Sequence, residues 1–157
     1  MSEDNPIRVF VTHAFSETDD YLRLFEFLEC VDRFYYLNVS KPEERPTGGM
    51  NEVKDTLIQQ IKESEAVFVL PALYERQPDL VNFIMDAADA NGKPMIVIRP
   101  YGQVSETPKE LIARTKEHVE WNARDMVDAL KRQARSEDTN RWEVVDFPGY
   151  DADGEVQ

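Results

Sequence analysis

A single cysteine, Cys30, leaves this chain without the means to form an internal disulfide, and points to a reducing compartment. Long apolar runs are missing too, since none approaches the ~20 residues of a membrane span. The first residues (Ser2, Glu3, Asp4) lack the basic start of a signal peptide. The expectation is a cytoplasmic protein. Basic residues are scarce: eighteen Lys and Arg stand against thirty-one Asp and Glu, a formal charge of −13. Nucleic-acid affinity comes largely from cations that neutralise phosphates, so the balance argues against a nucleic-acid partner. It argues equally against docking on an anionic membrane. The acid excess reads as solubility, with a salt-rich cytoplasm as the weaker alternative.

What is present suffices for a folded core. A chain of 157 residues, 41% hydrophobic and 10% aromatic, is long enough for one domain, and two would be cramped. Ile7 to Val11 is an apolar, β-branched run of the kind that packs on both faces of a buried strand. At Thr12 it changes to small and polar residues. Thr18, Asp19 and Asp20 then stand where a helix N-cap and acidic first turn belong, ahead of Leu24, Phe25, Leu28 and Val31 at helical spacing. A strand that ends in a polar turn and feeds a helix opens a βα unit, and in open α/β sheets the ligand crevice lies beyond such strand ends.

The pattern repeats along the chain. Phe34 to Leu37 is a short aromatic-rich second strand, and Asn38 to Gly49, with Pro42, Pro46, Gly48 and Gly49, is a long loop. Asn51 is placed to cap the next helix, which carries Val53, Leu57, Ile58 and Ile61. Ala66 to Leu70 predicts a central strand stopped by Pro71. Pro78 starts a helix closed by Asn91-Gly92, and Met95 to Ile98 is the next buried strand. Thr107-Pro108 opens a short helix to about Lys116, His118 to Trp121 is a short strand, and Asn122 caps a last helix through Met126, Val127 and Leu130. Such alternation implies an α/β fold: a five-stranded parallel sheet covered by helices on both faces, with the commonest order 2-1-3-4-5. The domain runs over 1–135. From Ser136 to 157 the chain is an acidic C-terminal tail, interrupted by Trp142, Val144, Val145 and Phe147. Left alone the tail is disordered; its apolar cluster leaves docking on the domain or a partner open.

Several stretches together resemble the TIR-like domains of the Thoeris antiphage ThsB type. They are Val9-Phe10-Val11-Thr12-His13-Ala14-Phe15 with Asp19-Asp20-Tyr21, Asn38-Val39-Ser40-Lys41-Pro42, the run Leu57 to Tyr74, Gly92 to Gly102, and Val119-Glu120-Trp121-Asn122. The match covers about Arg8 to Arg132. It implies a flavodoxin-like, three-layer TIR fold. In active members it implies cleavage of NAD to a cyclic-nucleotide-like signal that wakes a nucleotide-sensing effector, in prokaryotic immunity.

One departure outweighs the agreements. Active members carry a tryptophan on the helix after the third strand and, four residues later, the glutamate that catalyses NAD cleavage. Aligned through Asp79 and Gly92-Lys93-Pro94, those positions are Leu80 and Ile84. Breaking the nicotinamide–ribose bond builds positive charge on the sugar, as in glycoside hydrolysis, where a carboxylate answers it. Ile84 offers neither charge nor hydrogen bond. Loss of one preorganised electrostatic group costs on the order of 3 kcal/mol, a factor of hundreds in rate. Asp86 points to another side of the helix. Glu75, in the preceding turn, is the better surrogate.

The nucleotide-binding candidates are Thr12, His13, Ala14, Phe15, Asp20, Tyr74, Leu80 and Ile84. His13 reads equally as a ribose or phosphate contact and as a capped turn histidine. Asp20 reads first as a helix-start acid, Tyr74 as a base-stacking or merely packed ring, and Leu80, Ile84 and Ala88 as a core stripe. Trp121 with Asn122 reads as core plus N-cap, and Cys30, which follows a buried helix face, as an inert thiol. His13, His118 and Cys30 lack ligand spacing, so no metal is expected, and NAD is expected only as substrate or ligand. A receiver domain would need an Asp where Leu70-Pro71 ends the third strand. A flavin carrier would need glycine between His13 and Asp20. The leading expectation is a TIR-like defence-signalling domain with an altered catalytic centre, which binds a nucleotide or assembles as a homo-oligomer. The alternatives are an active NAD glycohydrolase or ADP-ribosyl cyclase working through Glu75, and a non-catalytic scaffold or sensor.

Overall fold

The structure, a computed structural model, describes residues 1–102 and 106–139. Five strands form one parallel sheet: β1 (Ile7–Val11), β2 (Tyr36–Asn38), β3 (Ala66–Val69), β4 (Met95–Ile98) and β5 (Glu117–Val119). Their spatial order is β2-β1-β3-β4-β5, with Val9 opposite Ala66 and Phe68 opposite Ile96. Among the described residues six helices accompany them, five between strands and the last after β5: α1 (Asp19–Glu29), α2 (Met50–Glu63), α3 (Pro71–Arg76), α4 (Pro78–Ala90), α5 (Lys109–Arg114) and α6 (Ala123–Arg135). This is a three-layer, flavodoxin-like α/β fold. Among the described residues no helix is long and apolar enough to cross a membrane.

The two faces of the sheet bury different side chains because strand residues alternate. Val9, Val11, Phe68 and Ile96 pack with Tyr21, Leu24 and Leu28 of α1 and with Met126, Val127 and Leu130 of α6. Phe10, Val67, Val69 and Val97 pack with Leu57 and Ile61 of α2, Leu73 of α3, Val81, Ile84 and Met85 of α4, and Leu111 of α5. Both faces are therefore dry, which is why β3 and β4 read as unbroken apolar runs.

Local chemistry sets most boundaries. The Thr18 hydroxyl accepts from the Tyr21 N–H at 3.3 Å, and the Asn122 side chain accepts from the Asp125 N–H at 3.0 Å, capping α1 and α6. Gly92, at φ 66°, takes the left-handed conformation that lets the chain turn back from α4 into β4.

Four expectations shift. The last strand lies at Glu117–Val119, and Trp121, expected to end it, stands outside it. The second strand lies at Tyr36–Asn38, with Phe34 packed into the core instead of paired. The second helix starts at Met50, one residue before Asn51, and Gly49 is its cap; the acidic side chain of Glu52 occupies the first turn in place of a side-chain cap. Pro71 ends β3 and also begins α3, as the first residue of a helix needs no N–H. Of the acidic tail, Ser136 to Thr139 are described, and Ser136 closes α6 at φ 54°. The docking expectation for Trp142, Val144, Val145 and Phe147 lies outside the described residues.

The far end of α6 is pinned to the start of the sheet. Arg135 forms a two-pronged pair with the Glu65 carboxylate, ahead of β3, and its Nη2 donates to the Pro6 carbonyl, ahead of β1, at 3.1 Å. Arg135 holds the Glu65 carboxyl below its ordinary range, against the opposing effect of burial. Replacing Arg135 by Met keeps the aliphatic stem and removes these bonds. The expected loss is about 1.5–3 kcal/mol, read as a lower urea midpoint at unchanged m value.

Candidate functional site

Helices leave β1 and β3 toward opposite faces of the sheet. Neighbouring parallel strands whose connections diverge leave a cleft at their carboxyl ends. There a cavity of about 320 Å³ opens, walled by the start of α1 (Thr18, Asp19, Asp20), the exit of β3 and α3 (Leu70, Leu73, Glu75, Arg76) and the exit of β4 (Pro100, Tyr101). Three carboxylates face one guanidinium across it.

One wall is braced from behind. The Asp20 carboxylate accepts from Arg23 at 2.6 Å, and the Arg23 guanidinium lies 3.8 Å from the centre of the Tyr101 ring. Tyr101 meets Trp121 edge-on at 5.4 Å, and the indole N–H of Trp121 donates to the Arg99 carbonyl at 2.6 Å. Asp20 is thus both a helix-start acid and a residue of the cleft. Tyr101, Asp19 and Arg76 were not among the sequence candidates. Tyr101 is the next-to-last residue of the Gly92–Gly102 stretch, which the resemblance singled out without giving it a role.

The turn after β1 faces inward. The Thr12 hydroxyl accepts from the Leu70 N–H at 3.0 Å, joining the ends of β1 and β3. His13 is buried. Its Nδ1 accepts from the Phe15 N–H at 3.1 Å, so the proton sits on Nε2, which donates to the Gln60 Oε1 of α2 at 2.9 Å. Burial pushes the imidazole pKa below its ordinary value, against the raising effects of Gln60 and the Glu43 charge. Phe15 adopts φ 59°, a conformation unfavourable for a residue with a side chain, and its ring meets His13 edge-on at 4.9 Å. Ala14 and Phe15 pack against the core on the α2 and α4 face.

A second buried polar cluster continues from there. Asn38 Nδ2 donates to the Tyr21 hydroxyl at 2.9 Å, the Tyr21 and Ser40 hydroxyls are 2.9 Å apart, and the Ser40 hydroxyl donates to Asn38 Oδ1. Gln60 also accepts from the Lys41 N–H at 3.1 Å. The Asn38–Lys41 segment is thereby fixed to α1 and α2.

The remaining candidates separate. Tyr74 turns from the cleft, with its hydroxyl 3.3 Å from Glu110 of α5. Leu80 lines a different hollow, with Met50, Lys54 and Phe83. Ile84 is fully buried in the core between α4, α2 and the sheet. Glu75 does line the cleft. No family model matches the chain, and no curated protein is significantly similar to it. Among the described residues no group of His, Cys, Asp and Glu is arranged to hold a metal, and Cys30 is exposed, its thiol donating to the Glu26 carbonyl at 3.3 Å.

Two outcomes follow. The unfolded chain takes up a proton on His13 near its ordinary value of 6.5, while the folded state resists until lower pH. Its contribution is therefore complete above pH ~6.5 and is lost progressively as pH falls below that value and through the lowered pKa of the folded state, by at most about 1.4 kcal/mol per pH unit. Melting between pH 7.5 and 5.5 should be steeper for the parent than for His13→Asn. An Ile84→Glu chain should lose upwards of about 3 kcal/mol at neutral pH, and recover part of it at pH 5 because its carboxyl stays protonated in the core. Thermal melts of Ile84→Glu and Ile84→Ala at both pH values read this directly.

Proposed function

We propose that this chain is a TIR-like signalling protein of the Thoeris ThsB type, in which the cleft beyond β1, β3 and β4 takes a nucleotide-type ligand such as NAD but cleaves it weakly or not at all. One observation carries the reading. The position that the resemblance assigns to the catalytic acid is Ile84, and its side chain is fully buried in the core cluster that includes Phe10, Leu57 and Met85, outside the lining of the cleft. A carbocation growing on a ribose in the cleft receives nothing from it. The parallel order β2-β1-β3-β4-β5 and the placing of the cleft at the divergence of α1 from α3 support a ligand site there. In this reading the protein works in the cytoplasm of a prokaryote and passes its signal to a nucleotide-sensing effector.

A second reading has its own support. Glu75 lines the cleft with Asp19 and Asp20, so a carboxylate from another helix is available to an NAD-consuming enzyme that makes a cyclic ADP-ribose-type product.

Incubating the purified chain with NAD and following free nicotinamide by chromatography separates the two. The expected result is release indistinguishable from the uncatalysed background, with NAD in excess of its dissociation constant still raising the melting temperature. At a hundredfold excess the stabilisation is about 2.7 kcal/mol. Turnover that Glu75→Gln abolishes would establish the second reading. Absence of any thermal shift with NAD would remove the ligand from the first.

A further inference from the structure

We infer that the hollow at the start of α4 is a docking groove for the acidic C-terminal segment, residues 140–157, of a second copy of this chain. The groove has a volume of about 400 Å³ and lies between the first turns of α2 and α4. Its floor is apolar: Met50, Pro78, Leu80 and Phe83. Met50 is 59% exposed, a large apolar side chain left in solvent at the groove's edge. Two cations stand over this floor. Lys54 Nζ lies 5.1 Å from the centre of the Phe83 ring, and Arg76 lines the same hollow, against the single acid Asp79.

An apolar floor under a net positive rim selects an apolar ligand that carries negative charge. In a chain of net charge −13 that combination is uncommon, and one segment has the opposite character. Residues 140–157 hold Trp142, Val144, Val145 and Phe147 among five carboxylates and a single cation, Arg141. Aromatic side chains seated in a pocket and ringed by contacts that exclude water are the usual anchors of such interfaces.

Position decides between the chain's own segment and a neighbour's. The segment follows α6, whose end is fixed by Arg135 to Glu65 and Pro6 at the amino ends of β3 and β1. The groove sits beyond the carboxyl end of β3, on the sheet face opposite to that covered by α6. Trp142 is three residues past Thr139, a reach of at most about 11 Å, which is shorter than the ~16 Å length of the five-residue β1 that separates the two ends of the sheet, so Trp142 does not reach the groove of its own chain; Phe147, eight residues on, has a longer reach of about 28 Å. A contact between copies meets no such limit. It joins unlike surfaces, so each copy offers one segment and one groove, and chains of copies or closed rings result.

Two full-length variants and their mixture test this. M50E/K54E spoils the groove through side chains outside the core. W142S/F147S spoils the segment. Sedimentation velocity over a range of concentrations should show assembly of the parent that weakens with added salt, and each variant alone should associate at least tenfold more weakly. Circular dichroism and melting checks that both variants keep the fold. Mixed one to one, the two variants should form a dimer and nothing larger, since only one intact segment and one intact groove remain. A parent that stays monomeric, variants that assemble like the parent, or a mixture no larger than its components would each overturn the inference.

Discussion

The ends of β1 and β3 must be tied together before anything else in this molecule can be arranged. They are neighbours in the sheet, yet α1 leaves β1 toward one face and α3 leaves β3 toward the other. Ladder pairing stops where the chains part, and the backbone groups just beyond it are already buried. A buried N–H without an acceptor costs about 1–3 kcal/mol. Thr12 resolves the problem at Leu70: its hydroxyl accepts the N–H at 3.0 Å, while its own N–H donates to the Phe68 carbonyl at 3.0 Å. A single β-branched hydroxyl residue thus serves both as the last apolar filler of β1 and as the clasp across the divergence. The clasp joins the ends of the two strands from which the helices that wall the cleft depart.

Rigidity of the loops around the clasp follows from how their polar groups are satisfied. The neutral tautomer of His13 is set from both sides, by the Phe15 N–H on Nδ1 and by Gln60 on Nε2. Gln60 in turn holds Lys41, and Asn38, Ser40 and Tyr21 close their own cluster. These side chains are spent on one another. The turn that a sequence reader expects to meet the ligand therefore faces the core, and the work of lining the cleft falls to the first turn of α1, to α3 and to Tyr101.

The central strands and the caps of α1 and α6 were legible from residues alone. Ala66–Val69 and Met95–Ile98 admit no polar residue, as expected of strands dry on both faces, and Thr18 and Asn122 cap as their side chains dictate. Other features were hidden for definite reasons. Pro71 carries two messages, strand end and helix start, and one masks the other. The direction of His13 depends on Gln60, forty-seven residues away, which no local pattern reveals. Leu80 and Ile84 share a helical stripe, but the first turn of α4 projects past the sheet. The same face thus meets a surface hollow at Leu80 and the closed core one turn later. Spacing gives a face, and only the length of the neighbouring layer says where along that face water ends.

The charge of the cleft narrows what can happen in it under either functional reading. Asp19, Asp20 and Glu75 face Arg76, with Arg23 behind Asp20, so the lining keeps an excess of negative charge. That sign favours a ligand portion that is cationic or becomes so, as a ribose does when nicotinamide departs. It disfavours a pyrophosphate, which elsewhere is cradled by glycine-rich turns or clusters of Arg and Lys. The first turn of α1 offers backbone N–H groups, but its own Asp19 and Asp20 already stand there, where they complement the helix dipole. A dinucleotide would then place its sugar and base in the cleft and leave its phosphates toward solvent.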